Sequence, residues 1–82
     1  MNDDKGKIDA AERTVKIGKK YKHYKGGEYL VLHLAKHSKT GEELVIYQAM
    51  YGERGIWARP LAMFLERVMV DRKMVERFGE LS

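Results

Sequence analysis

The sequence lacks cysteine altogether and has a single proline and no long apolar run. Without cysteine there is no disulfide framework, no thiolate metal site and no cysteine nucleophile. No apolar run approaches the length that would span a membrane. The first twenty residues carry ten charged side chains, which is incompatible with a signal peptide. These absences predict a cytoplasmic protein that has no membrane partner.

What remains is the composition of one small folded domain. The 82 residues are 44% hydrophobic and 34% charged, which is too apolar for a disordered chain. A chain of this length has room for one domain only, with a small core and modest stability. There is no internal repeat and no low-complexity segment.

Short alternating strands dominate the pattern after residue 18. We predict strands over residues 21–24, 29–36, 43–51, 56–59, 67–70 and 74–78, separated by turn residues. In the second strand, Leu30, Leu32 and Leu34 are predicted to share one face. Pro60 ends the fourth strand and favours one 3₁₀ or α turn near residues 60–66. Asp9 and Glu12 resemble a capping box that could begin a short helix through about Val15.

Five to six short strands with one helical turn predict a mainly β fold. The economical architecture is a single small SH3-like β-barrel, because the chain is too short for a large sandwich. We place this domain at residues 19–78. Residues 1–18 are predicted to be a flexible or partly helical tail, and residues 79–82 a C-terminal tail.

Several ordered motifs resemble one bacterial family. They are YKHYKG at 21–26, HSKTGEE at 37–43, VIY at 45–47, YG at 51–52, WARP at 57–60 and MF at 63–64. Together they resemble the proteins grouped as domain of unknown function 1653, from about Lys19 to Phe78. The resemblance implies a small, mostly β, SH3-like domain of the bacterial cytoplasm and no established activity. Gln48 and Ala58 stand where the family pattern often has arginine and valine.

The net charge of +4 is concentrated in one segment of the chain. Five lysines follow one another with no acidic residue between them, and Tyr21, His23 and Tyr24 are interleaved among them. These lysines are Lys16, Lys19, Lys20, Lys22 and Lys25. Lysines mixed with rings are typical of nucleic-acid surfaces. The alternative is that they cover the solvent face of an edge strand and discourage aggregation.

Candidates for catalysis and metal binding are weak. His33 and His37 would lie roughly 13 Å apart along a strand, too far to share one zinc ion. The best catalytic trio is His37 with Ser38 and Glu43, but neighbouring strand residues point to opposite faces. A local turn, with Ser38 and Thr40 bonding to the loop backbone and His37 capping the strand, is the simpler interpretation. We therefore predict no cofactor. A small enzyme or nucleotide-binding protein that uses the His37 loop is the third of three functional hypotheses, after the two binding modules described next.

Aromatic residues exceed what a small core can hold, so some must lie on the surface. Trp57 and Arg59 share a strand face and could stack on and grip a ligand. In the alternative, Trp57 is core and Arg59 pairs with Glu53, Glu66 or Glu43.

The leading hypothesis is a non-catalytic module that binds nucleic acid. The second hypothesis is a module that binds a protein or peptide partner on an aromatic groove, and a homodimer stays open. The predicted binding residues are Lys20, Lys22, His23, Tyr24, His37, Tyr47, Tyr51, Trp57 and Arg59.

Overall fold

A computed structural model describes residues 14–81, in which strands predominate. The mainly β prediction is therefore confirmed. In chain order the elements are β1 (Lys20–His23), β2 (Glu28–Lys36), β3 (Glu43–Ala49), β4 (Ile56–Pro60), α1 (Leu61–Phe64), β5 (Arg67–Val70), β6 (Lys73–Glu76) and β7 (Phe78–Glu80).

The strands form one five-stranded sheet and one two-stranded ribbon. The sheet is antiparallel with the order β4-β3-β2-β1-β7, and β5 pairs with β6 in the ribbon. A closed barrel needs its outermost strands to be joined by hydrogen bonds. Within residues 14–81, β4 and β7 remain the two ends of the sheet, so the predicted barrel closure is not confirmed.

The turn between β1 and β2 is built around glycine, as predicted. Gly26 has a φ of 113°, a conformation that residues with a side chain rarely adopt. The turn is closed by two backbone hydrogen bonds of 2.7 Å, in which His23 N–H donates to Gly27 O and Gly26 N–H donates to His23 O. This geometry places Gly26 and Gly27 beside the end of β1.

A bulge in β2 reverses the alternation of its side chains. The register with β3 shifts between Val31 and His33, so Val31 pairs with Tyr47 while Leu34 pairs with Val45. An extra residue in one strand moves every later side chain to the opposite face. The prediction that Leu30, Leu32 and Leu34 share one face is therefore wrong. The prediction depends on strict alternation of side chains along β2, and the bulge at Leu32 breaks that alternation.

The core lies between the sheet and α1. Phe64, on α1, is only 1% exposed, and its ring stacks on that of Phe78 with centroids 4.1 Å apart. The other buried members of the cluster are Val15, Tyr21, Val31, Val45 and Tyr47. The helical turn predicted after Pro60 is confirmed, since α1 follows that residue directly. Proline suits the start of a helix because its fixed φ is compatible with the first turn.

Both ends of the described segment pack on the sheet. Val15 is buried, Lys16 N–H donates to the Tyr21 hydroxyl at 2.9 Å, and Gly18 N–H donates to Val31 O at 2.8 Å. Strand β7 pairs with β1 and takes in Gly79 and Glu80, so it extends into the segment predicted as a C-terminal tail. The helix predicted from Asp9 lies outside the described residues except for Thr14 and Val15, which are not helical. Nothing helical within residues 14–81 has the length and apolar character needed to cross a membrane.

Candidate functional site

Six rings from four strands and their loops form one group, in which five rings are linked by contacts and Trp57 is placed by the β3–β4 ladder. The ring of Tyr29 is at its centre, with centroids 5.3 Å from Tyr47, 5.7 Å from Tyr51 and 6.5 Å from His23. His23 in turn lies 4.6 Å from Tyr24, and Trp57 stands opposite Tyr47 across the β3–β4 ladder. We call this set the aromatic row; its members are Tyr24, His23, Tyr29, Tyr51, Tyr47 and Trp57.

Three members of the aromatic row are open to solvent. Tyr24 is 38% exposed, Tyr51 52% and Trp57 59%. Trp57 is thus a surface residue and not part of the core. Its indole lies close to Gly55, where an added Cβ would stand 3.2 Å from the indole nitrogen. Tyr47, predicted on the binding surface, is buried instead, because β3 is covered by β2 and β4 on its sides and by α1 over its inner face.

Arg59 is oriented by the buried tyrosine. Its Nε donates to the Tyr47 hydroxyl at 3.2 Å, and its guanidinium carbon lies 5.6 Å from the centroid of the Phe78 ring. Among residues 14–81 no carboxylate forms an ion pair with Arg59; Glu66, one of the partners considered from the sequence, is 3.0 Å from Arg77. A positioned guanidinium is suited to bind a phosphate or carboxylate with its terminal nitrogens.

The hydroxyls of Tyr29 and Tyr51 form a hydrogen bond of 2.5 Å. That bond, together with burial, raises the pKa of Tyr29 to about 12. The Tyr29 hydroxyl therefore stays protonated at neutral pH. Because one hydroxyl of the pair donates to the other, the pair retains one O–H for a further acceptor.

The surroundings of His23 favour its neutral form. Its Nδ1 accepts a hydrogen bond from Lys25 N–H at 3.1 Å, which leaves Nε2 to carry the ring proton. Burial lowers the pKa of His23, and the positive charges of Arg77, Arg59 and Lys25 lower it further. The three cations together make the surroundings of His23 electropositive.

This environment predicts that His23 makes folding pH-dependent. Because the folded state lowers the pKa of His23 below 6.5, protonation favours the unfolded chain. The contribution of His23 to stability should therefore be complete above about pH 6.5 and should decrease as the pH falls below that value. Urea unfolding at neutral pH and at about pH 5 should show a larger loss for the wild type than for His23→Gln. His33 and His37 are present in both proteins; equal losses would contradict the assignment to His23.

The lysines singled out from the sequence are divided between two faces of the sheet. Lys20 and Lys22 alternate along β1 with Tyr21 and His23, whose rings pack on the core side. Successive strand residues point to opposite faces, so Lys20 and Lys22 lie away from the aromatic row. Lys25, in the turn, instead places its Nζ 5.8 Å from the centroid of the Tyr24 ring. The sequence run thus supplies one cation to the row.

The loop of His37 is a structural turn distant from the aromatic row. His37 Nδ1 accepts hydrogen bonds from the backbone N–H groups of Lys39 and Thr40, at 3.1 and 3.4 Å. The Thr40 hydroxyl accepts one from Glu42 N–H at 3.1 Å. His37 follows Tyr29 by eight residues, roughly 26 Å along an extended strand. Within residues 14–81, no group of three or more metal-ligating side chains is gathered.

A recess of about 600 Å³ opens beside the aromatic row, at the β1–β2 turn. Its lining includes His23, Lys25, Gly27, Glu28, Tyr29 and Tyr51. Sequence reasoning included Lys25 in the basic run but missed Gly27, Glu28 and Tyr29 as site residues. The signal that could have found them is the Gly26-Gly27 pair directly after the lysine and tyrosine run, since glycines allow close approach to a ligand.

Comparison with known proteins gives one family and one related structure. A family model described as a protein of unknown function, DUF1653, matches residues 19–80. The chain is also similar to the crystal structure of a DUF1653 protein from Bordetella bronchiseptica, with 32% identity and a TM-score of 0.74. That similarity covers 84% of this chain and 90% of the other. Among curated proteins, none matches. The family match contains every residue of the aromatic row.

Proposed function

The chain belongs to the DUF1653 family, whose description assigns no activity, and we propose that it is a non-catalytic module that binds single-stranded nucleic acid on the aromatic row. The observation that carries the proposal is the row itself. Two of its exposed rings, Tyr24 and Tyr51, are joined through His23 and Tyr29, and the exposed Trp57 stands opposite Tyr47 across the β3–β4 ladder. Lys25 and Arg59 supply cations beside these rings.

Exposed rings of this kind suit unpaired bases. Every base has a flat π-face, so a tyrosine or tryptophan can stack on it without selecting a sequence. Paired bases keep their faces covered by neighbouring bases, which favours a single strand over a duplex as the ligand. More than half of the Trp57 and Tyr51 side-chain surfaces remains open for such stacking.

The phosphate contacts are assigned to Lys25 and Arg59. Lys25 lies above the Tyr24 ring, and Arg59, two residues after Trp57 on the same strand face, is held at the Tyr47 hydroxyl. Both charges therefore accompany a strand that lies along the rings. Lys20 and Lys22, which the sequence favoured, project from the opposite face and are not included.

This assignment predicts which cations set the salt dependence of binding. In Lys25→Gln/Arg59→Gln, two phosphate contacts are lost, so the slope of log K against log salt should fall by about 1.4, or about 0.7 per phosphate on a single strand. Lys20→Gln/Lys22→Gln also removes two positive charges, but from the opposite face of the sheet. This variant should keep a slope close to that of the wild type. Fluorescence anisotropy with labelled mixed-sequence DNA and RNA strands, over a series of salt concentrations, measures both.

The comparison of the two variants shows which face of the sheet binds the nucleic acid. A larger change in slope for the Lys20/Lys22 variant would move the interface to the opposite face. Equal changes in both variants would mean that only net charge matters. No binding by the wild type at low salt would contradict the proposed function.

A protein or peptide partner is the second candidate. Exposed tryptophan and tyrosine are the residue types that dominate protein interfaces, and Trp57 and Tyr51 satisfy that description. An apolar contact keeps its partner at high ionic strength, whereas phosphate contacts are weakened. Binding that resists salt would therefore favour this candidate.

The proposal also includes an SH3-like arrangement of the strands and a cytoplasmic location. An SH3-like arrangement is supported by β7 returning to pair with β1 and by α1 preceding the last strands. A nucleic-acid ligand is consistent with the cytoplasmic location predicted from the sequence.

A further inference from the structure

Three rings, those of His23, Tyr29 and Tyr51, line the recess at the β1–β2 turn. The plane of Tyr51 is inclined at 79° to that of Tyr29, and the plane of His23 at 66°. Two rings that stand steeply on a third therefore give the recess part of its walls. All three residues line the recess, whose volume of about 600 Å³ admits one planar heterocycle.

Polar groups of both kinds line the same space. The Tyr29–Tyr51 hydroxyl pair has one O–H left to donate and lone pairs left to accept. The neutral His23 offers its Nε2–H, since Nδ1 already accepts from Lys25 N–H. Base edges carry donors and acceptors in alternation, so this set is suited to them.

The surrounding charge favours a nucleobase with its phosphate over a quaternary ammonium ion, the other common ligand of a site lined by rings. Boxes of rings also bind quaternary ammonium ions through cation–π contacts. Here Lys25 lines the recess, and Arg59 and Arg77 lie close enough to His23 to lower its pKa. These cations repel an ammonium ligand and attract a phosphate.

We propose, building on the nucleic-acid function above, that this recess is a subsite for one nucleobase of the bound strand, with Lys25 contacting its phosphate. The remaining bases stack on the exposed rings outside the recess. A free mononucleotide should accordingly occupy the recess without the rest of a strand.

Gly27→Ala is a variant that should narrow the recess beside Tyr51 and Tyr29 and keep the fold. A Cβ at this position would lie 2.9 Å from Tyr51 Cε1 and 3.3 Å from Tyr29 Cε1, at the outer ends of two side chains. The φ of Gly27 is outside the positive region, so the backbone accepts alanine. Gly79→Ala is the matched control, because its Cβ would have only an ordinary contact of 3.7 Å with Glu76 Oε1.

The test is an NMR titration of the full chain with the four ribonucleoside 5′-monophosphates at millimolar concentration. Amide shifts of the wild type should cluster at Gly26, Gly27, Glu28 and Tyr29. Gly27→Ala should weaken this binding at least tenfold, and Gly79→Ala should not change it. Ribose 5-phosphate, which has no base, and tetramethylammonium are the two comparison probes; both should bind weakly or not at all.

The results distinguish this inference from the function on which it rests. Strand binding without mononucleotide shifts in the recess overturns the subsite and leaves the proposed function standing. Mononucleotide binding in the recess with no strand binding supports the base site and overturns the proposed function. Ribose 5-phosphate binding as tightly as the mononucleotides, preferential binding of tetramethylammonium, or unchanged affinity in Gly27→Ala each overturns the subsite.

Discussion

The Trp57→Ala/Tyr24→Ala variant is expected to lose at least about 30-fold in affinity for single-stranded nucleic acid. Each ring is exposed and lies at one end of the aromatic row, so each is available to stack on a base. Stacking contributes about 1–3 kcal/mol per base, and two lost stacks correspond to about 2–6 kcal/mol. Neither ring lines the recess, so the variant should still bind mononucleotides there.

Anisotropy with the labelled mixed-sequence strands measures this loss, and thermal unfolding shows whether the fold is intact. Met69→Ala/Met74→Ala is the control. These methionines face each other across the β5–β6 ladder and are more than half exposed, but they lie outside the row. Equal losses in the two double variants would indicate a general effect of exposed apolar surface and would contradict stacking on the row.

Phe64→Ala is expected to destabilise the domain by about 3–5 kcal/mol. The Phe64 ring stacks on Phe78 and makes edge contacts with Tyr21 and Tyr47, at centroid distances of 5.4 and 5.6 Å. Its removal leaves a cavity among rings that the sheet holds in place. Since small domains have only about 5–15 kcal/mol of total stability, the loss is a large fraction of it.

Met63→Ala provides the comparison within the same helical turn. Met63 is exposed, so the substitution changes helix composition without opening a cavity, and the expected effect is within about 0.5 kcal/mol. Urea unfolding of both variants and the wild type gives the two free energies. Similar small losses would mean that α1 does not close the core.

Local patterns predicted much of the secondary structure. The strands β2, β3, β4 and β5 lie close to their predicted bounds, because period-two alternation, glycine turns and one proline act over a few residues. The Gly26-Gly27 turn and the helical turn after Pro60 have the same local origin. Exposed rings were predicted too, although Tyr47, which was predicted on the binding surface, is buried.

The charge run shows where local pattern stops being informative. Lysines and rings that are neighbours in sequence become residues on opposite faces once they enter β1, because alternation separates Lys20 and Lys22 from His23. Lys25, in the turn after the strand, lies beside the aromatic row. Proximity along a strand is therefore a poor guide to a shared surface.

By itself, the sequence determined the class of fold, the short strands and their turns, and the surplus of rings and positive charge. Only the tertiary structure decided which rings meet. Tyr29 and Tyr51 are 22 residues apart, and Arg59 reaches Tyr47 across 12 residues. Such pairs depend on strand order and on register, and one bulge in β2 is enough to exchange the faces. The physical reason is that alternation specifies two faces for a strand, whereas long-range packing selects the neighbour that each face receives.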